Sequence, residues 1–550
     1  MIPVLARLLL WLCLSVSVMG AEKKPHVIVV VNGNITGDNK RTGFDDVFLN
    51  DVKMPKGIAW RDSRWDIRLS PGGNATLAAL LYGKQPLVSG VMGDKDWRRK
   101  PVNAPSLADH FAKANYTTLF SGAWPMGHTL TYAPESRGFN AAVVSPSSSQ
   151  AFARPYLVDD WAISSRFSNS RTQVKRSLVK LWRVAPPVFM VAHLEWFKES
   201  AIMAAEIKTF AENAWKTHRR ETYCIIISER VTESKGGWKA HPGRCHYPAD
   251  AVLYHMGNQE HFTKSGDVFH RSLTDWEMNA ALRTLLGRAE PAKPDFRIFH
   301  KANWPVNESP DKHRHQGSLV VGKGHALVDG LQLYPATKAM LPDLSKPLDI
   351  AKHQKLHSEM LVAHAQWWAK ARSALHNPRP FSVGKKDKIP VKLTALDWRP
   401  SKTMHADGSS PSPKPFVYQS DLLGVLKELK NDQFRQDYPA HSGSWSVNIL
   451  RPGRYQITAS LLPMDIDAER KKLARLRGGR AFIRLGKNLV QLQIAKGATA
   501  VTVKTDANAG VVDLECWFTG QLALERELGA FFVEIHRIGD KKFDFNAKPK

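Results

Sequence analysis

Residues 106–139 read SLADHFAKANYTTLFSGAWPMGHTLTYAPESRGF. Apolar residues recur at helical spacing over 107–114, and past Asn115 a short run over 116–120, rich in aromatic and β-branched residues, reads as a strand. A helix that delivers the chain directly into a strand is the repeating unit of an α/β domain.

The flanking sequence extends this pattern. Residues 26–31 (HVIVVV) form a continuous apolar run bounded by Asn32-Gly33-Asn34, as expected of a strand covered on both faces. Residues 187–192 and 223–228 predict two more buried strands, with a helix over 202–215 between them. Strands alternating with helices predict a mainly parallel sheet between helices, spanning residues 22–290. Over 291–384 the pattern changes to short strands (296–300, 318–321 and 326–328) and a long amphipathic helix (356–375), a small α+β subdomain. Residues 385–415 are basic, contain Ser409-Ser410-Pro411-Ser412-Pro413 and read as a linker. Over 416–550 apolar residues alternate in two-residue steps, as in Trp445, Val447, Ile449 and Tyr455, Ile457, Ala459, with turn signals such as Pro452-Gly453 between runs. This predicts a C-terminal antiparallel β-sandwich.

Composition narrows the setting. Arg7, an apolar stretch over 8–18, the small residues Gly20 and Ala21 and then Glu22-Lys23-Lys24 have the layout of a signal peptide over 1–21, which predicts a secreted or periplasmic protein. No later stretch is continuously apolar for the roughly 20 residues that a spanning helix needs, so no membrane span is expected after signal cleavage. Cys224, Cys245 and Cys516 remain beyond the signal, without zinc-type spacing and sufficient for one disulfide at most. The chain carries 78 Lys+Arg against 51 Asp+Glu, a formal net charge of +27, which favours association with polyanions. The basic residues are spread along the chain without a zinc-finger or RNA-binding signature, so no nucleic-acid partner is expected.

The 106–139 stretch resembles a block of the sulfatase family, in which a TLAxxLKxAGYxT helix and strand leads into GKWHxG and then PxxRGF. Ala108, Tyr116, Thr118, Gly122, Trp124, Gly127, Pro134, Arg137, Gly138 and Phe139 match at the family's spacing. TLAALLYGKQP over 76–86 is similar to the family's SRAALLTGRYP, and LTDW over 273–276 resembles the start of its TDLxPTLLxLAG helix. The resemblance implies an alkaline-phosphatase-like α/β fold and the late helix and terminal sandwich of arylsulfatase-like proteins from polysaccharide-degrading bacteria.

The same resemblance shows what is missing. In an active member a Cys-x-Pro-x-Arg motif supplies a formylglycine nucleophile; its cysteine, proline and arginine positions are here Gly73, Ala75 and Leu77. The family's Ca²⁺ is held by carboxylate-rich pairs, and these positions are Gly33 and Asn34 after the first strand and Glu229 and Arg230 after the later one. No cofactor is therefore expected, unless the degenerate cage retains calcium. The lysine and histidine of GKWHxG are Ala123 and Pro125, which removes the groups that would neutralise charge and protonate the leaving oxygen. His193 is the nearest candidate for another family histidine, and Lys239, His241 and Arg244 compete for a downstream lysine position. Loss of a nucleophile or general acid costs on the order of 4 to 8 kcal/mol of transition-state stabilisation.

Three functions from different classes remain open. The first is a catalytically inactive protein that binds sulfated or other anionic polysaccharide. The second is a hydrolase of sulfate or related esters that uses His193, Glu229, His241 or Lys239. The third is a structural protein partner of active sulfatases. Fold analogy alone does not separate them, because function resides in the site.

Overall fold

The apolar run at the amino end becomes β1 (His26–Asn32), an inner strand of a seven-stranded sheet. This is seen in a computed structural model, which describes residues 24–32, 59–69, 73–89, 104–122, 124, 134–144, 186–194, 200–229, 247–257, 274–289, 294–300, 309–337, 340–376, 380–395, 398, 442–464, 471–521 and 527–540. The 1–21 signal reading lies outside these residues. No helix among the described residues is long and apolar enough to cross a membrane.

The other strands of this sheet are β2 (Ala59–Leu69), β3 (Thr117–Gly122), β4 (Ala141–Val144), β5 (Val188–Leu194), β6 (Thr222–Glu229) and β7 (Tyr247–Gly257), in the order β2-β7-β6-β1-β5-β3-β4. β1 pairs in parallel with β5 and β6, and β3 in parallel with β5 and β4. β7 is antiparallel to both β6 and β2, so the sheet is parallel-rich with two antiparallel pairings at one side. β2 (AWRDSRWDIRL) carries no clean apolar period, and for that reason neither it nor β7 is anticipated above.

Helices cover both faces, as the sequence predicts. They are α1 (Gly73–Tyr82), α2 (Pro86–Ser89), α3 (Leu107–Lys113), α4 (Ser200–His218) and α5 (Asp275–Thr284). Val27, Val29 and Val31 pack in one cluster with side chains of α1, α3 and α5; Ile28 and Val30 pack in another with Ala204, Ile207, Phe210 and Ala211 of α4. Successive strand side chains point to opposite faces, so a strand read as apolar throughout must be covered twice. Each of these Val and Ile side chains is almost wholly buried, a contribution of roughly 1.5–3 kcal/mol apiece.

The subdomain holds β8 (Arg297–His300), β9 (Ser318–Gly322), β10 (His325–Val328) and β11 (Gln332–Pro335) as an antiparallel sheet in sequence order, beneath the long α6 (Gln354–His376). Leu87 of α2 shares a core with Val320, Leu327, Met360, Trp367 and Trp368, and so ties the subdomain to the α/β unit. Arg297 Nε donates to Glu277 Oε1 of α5 at 2.7 Å across the same boundary.

The carboxy-terminal unit is a sandwich of two sheets. β12 (Phe381–Val383), β14 (Ser444–Ile449), β19 (Gly510–Thr519), β16 (Arg480–Leu485) and β17 (Asn488–Gln493) run in that order, with β20 (Leu528–Gly529) on β19. The facing sheet is β13 (Val391–Thr394), β21 (Phe532–Gly539), β15 (Gly453–Ser460) and β18 (Ala500–Ala507). Two strands add detail to the sequence pattern. β13 lies inside the stretch read as a linker (385–415), yet it pairs with β21 and fills the core with Leu393; Trp398 beyond it is also wholly buried. β12 pairs in parallel with β14, within a sandwich whose other strand pairings are antiparallel. Asp387 anchors this entry strip by ion pairs to Arg451 and Arg537. A three- or four-residue strand flanked by Lys and Pro has little periodic signal; its partner is about 140 residues away in sequence.

Cys224 and Cys516 are buried free thiols, one in the α/β core and one in the sandwich, and burial pushes both thiol pKa values up.

Candidate functional site

In a parallel sheet with helices on both faces, ligands are met at the carboxyl ends of the strands. Here the register aligns Asn32 with Leu194 and Ser228, and Gly122 with His193. Leu69 pairs with Tyr247, and Ala249 pairs with Glu229, so β2 ends at this same edge and α1 starts beside it at Gly73. Gly73, His193 and Glu229, far apart in sequence, are therefore brought to one edge.

The first turns of α1 mix polar Asn74 and Thr76 with apolar Ala75 and Leu77. Ala75 and Leu77, at the family's proline and arginine positions, are both 0% exposed, and Leu77 belongs to the core under the sheet. At its other end the helix is held by Asn279 of α5, whose Nδ2 donates to the carbonyls of Leu80 (2.8 Å) and Leu81 (3.0 Å). Those last-turn carbonyls have no partner within a helix, so a buried amide from a neighbouring helix fixes the position of α1.

The 106–139 stretch builds a clasp that reaches the amino-terminal end of β3, where Thr118 pairs with Phe189. Ser106 and Asp109 form a capping box: Asp109 N–H donates to Ser106 Oγ at 3.1 Å, and Ser106 N–H to Asp109 Oδ2 at 2.7 Å. Ser106 Oγ also donates to the Arg137 carbonyl (2.6 Å), and Thr118 Oγ1 donates to the Gly138 carbonyl (2.6 Å). Gly138 has φ +87°, and a Cβ there would lie 2.4 Å from the Asp109 nitrogen, so only glycine allows this approach. Phe120, Trp124 and Phe139 meet edge to face with centroids 4.9–6.0 Å apart. The family-like residues retained in this block thus hold a helix, a strand and a return loop together.

His193 is 3% exposed, and its carbonyl would lie 1.9 Å from a Cβ on Gly122, which has φ +106°. Glu229 is placed as the last residue of β6; its side chain lies outside the described residues. Gly33, Asn34, Ala123, Pro125, Arg230, Lys239, His241 and Arg244 also lie outside them. Among the described residues no three His, Cys, Asp or Glu side chains come together so as to hold a metal ion. At the opposite, amino-terminal edge, His26 accepts a hydrogen bond from the Val188 N–H at Nδ1 (3.0 Å), and burial lowers its pKa to about 3.

No protein-family model matches the chain, and no curated protein matches it. Among solved structures it is similar to Ps i-CgsB at 14% identity and TM-score 0.41, covering 64% of this chain and 94% of that one. A sulfatase from Pseudoalteromonas sp. is similar at 12% identity and TM-score 0.35, over 64% of this chain and 90% of that one. An alkaline phosphatase superfamily protein from Vibrio parahaemolyticus is similar at 12% identity and TM-score 0.34, over 64% and 89%. Ps i-CgsB has also been crystallised with k-i-k-neocarrahexaose. Likeness at this level concerns the outline of the fold and transfers no residue role. In that outline, a parallel-rich α/β sheet with further antiparallel sheets, the chain is similar to sulfatases and other proteins of the alkaline phosphatase superfamily.

Proposed function

We propose that this chain is an exported, sulfatase-like protein that binds sulfated or other anionic glycans without hydrolysing them. The observation that carries this reading is the first part of α1. Where sulfatase chemistry needs a nucleophile and a guanidinium, the helix starts at Gly73 and turns Ala75 and Leu77 wholly into the core. A glycine offers no oxygen to attack sulfur, and a buried alkyl chain neither binds sulfate nor stabilises developing charge.

The donor set for the family's Ca²⁺ fits poorly as well. Of Gly33, Asn34, Glu229 and Arg230, one residue supplies a carboxylate and one an amide, while a guanidinium brings a positive charge to the place of a hard cation. The net charge of +27 supports a polyanionic ligand, since summed surface charge raises the local concentration of oppositely charged partners.

Binding is tested on immobilised heparin and carrageenan at low ionic strength, with a salt gradient and with sulfate-ester turnover assayed beside an active sulfatase. Retention that is lost at about 0.3–0.5 M salt, without turnover, is expected, because the Debye length shrinks to a few ångströms in that range. Passage through both columns at low salt overturns glycan binding, and sulfate release with Glu229→Ala inactive overturns the loss of chemistry.

A further inference from the structure

The buried stripe of α6 runs Met360, His364, Trp367, Trp368 and Ala371, and one position in it is an imidazole. His364 is 1% exposed, and neither of its ring nitrogens has a hydrogen-bond partner. It stacks on His315 (centroids 4.6 Å apart, planes at 26°) and lies against Trp367 at 5.5 Å. His300, at the end of β8, reaches both tryptophans at 5.9 and 5.5 Å. In the same subdomain His315 Nδ1, Ser318 Oγ, Trp367 Nε1 and His357 Nε2 are also buried without hydrogen-bond partners. Near-parallel imidazoles cannot both aim in-plane lone pairs at one metal ion, so the stack does not fit a metal site.

The groups facing His364 offer it no counterion. Arg314 and His315 precede β9, His300 lies on β8, and all three raise the cost of a positive charge on His364. The His313 carbonyl is within 3.0 Å of His300 Nε2. Asp311 is held by Arg372 (2.9 Å) and by the Trp368 Nε1–H (3.3 Å). Asp329 accepts from the N–H groups of Gly317 (2.7 Å) and Ser318 (3.2 Å). Glu359, elsewhere on α6, pairs with Lys323 at 2.7 Å. Each nearby carboxylate is thus engaged by other donors; Asp329 favours a charge on His315, while neither ring nitrogen of His364 has a partner.

We propose that the subdomain contains an acid-triggered release, in which protonation of His364 and its stacked partner His315 forces α6 off the four-stranded sheet. A buried imidazolium without a partner is expelled toward water. The release reaches the candidate site through a short path. Leu87 of α2 packs in the α6 core, α2 follows α1 through Gly83, and α1 begins at Gly73 on the carboxyl edge.

The sign follows from burial. Desolvation first, and then His315, His300 and Arg314, lower His364 from 6.5 to about 3; burial likewise lowers His300 to about 4 and lowers His315. The closed state binds fewer protons than the open one, so its stability is full above about pH 6.5 and is lost as pH falls toward about 3.

The full-length chain tests this through tryptophan fluorescence and protease susceptibility across an acid titration. A cooperative transition between about pH 6.5 and about pH 4 is expected, and His364→Leu should move its midpoint down by roughly one pH unit. A midpoint unmoved by His364→Leu overturns the proposal. If that variant does not fold, histidine ring titration in the unaltered chain decides. Protonation of the His364 ring that coincides with the tryptophan transition supports the release, and a ring that titrates without any tryptophan change overturns it. Glycan retention at neutral pH is read separately, so failure of one reading leaves the other intact.

Discussion

Replacing Leu77 by arginine restores the side chain that the family resemblance places at this position, and it asks whether the first part of α1 faces a cleft or the core. Leu77 is 0% exposed and packs in the core formed by α1, α3, α5 and the sheet. A guanidinium forced there loses its hydration without gaining a carboxylate, a cost of at least about 3–5 kcal/mol. Leu77→Ala serves as the control: it removes the side chain without adding charge and costs about 2–5 kcal/mol through lost transfer energy and a cavity. For a domain of this size each kcal/mol lowers the melting temperature by roughly 2–4 °C, so the control should lose roughly 5–20 °C and Leu77→Arg should lose as much or fail to fold. Thermal unfolding followed by far-ultraviolet circular dichroism reads both variants. If Leu77→Arg melts within about 2 °C of the unaltered chain while Leu77→Ala is clearly destabilised, the arginine has reached solvent, and a core-facing position for residue 77 is refuted.

Two further substitutions probe how the site is held. Asn279→Ala leaves the Leu80 and Leu81 carbonyls without their buried donor and should cost about 1–3 kcal/mol, measured as a shift in urea midpoint at unchanged slope. Gly122→Ala places a Cβ 1.9 Å from the His193 carbonyl at φ +106°, so it should destabilise the sheet by more than about 2 kcal/mol; a neutral result would show that β3 and β5 lie farther apart at this end.

The retained and replaced residues of the family-like block separate along a physical line. Ser106, Thr118, Arg137 and Gly138 take part in backbone bonds that join α3 to β3 and the loop after it, and Trp124 and Phe139 pack as rings. Substituting any of these disturbs the fold itself. Leu77 fills a buried position of α1 with an alkyl chain and Gly73 opens the same helix; neither takes part in the bonds that hold the block together.

Much of this was legible in the amino-acid order. The apolar run of β1, the helix-strand pattern over 107–120 and the two-residue alternation of β14, β15 and β21 each express a local periodicity, and local periodicity decides which faces are buried. That Gly73 carries no nucleophilic side chain is likewise a matter of residue identity. What needed the tertiary structure was every feature made by distant segments meeting. Gly73, His193 and Glu229 share an edge because β2 returns through β7, a pairing of strands nearly 190 residues apart. Val391 joins the sandwich because Ile535 lies beside it, and His364 loses its hydration because His315 and two tryptophans close over it. Such contacts are set by the energy of packing one surface against another, which no stretch of sequence contains by itself.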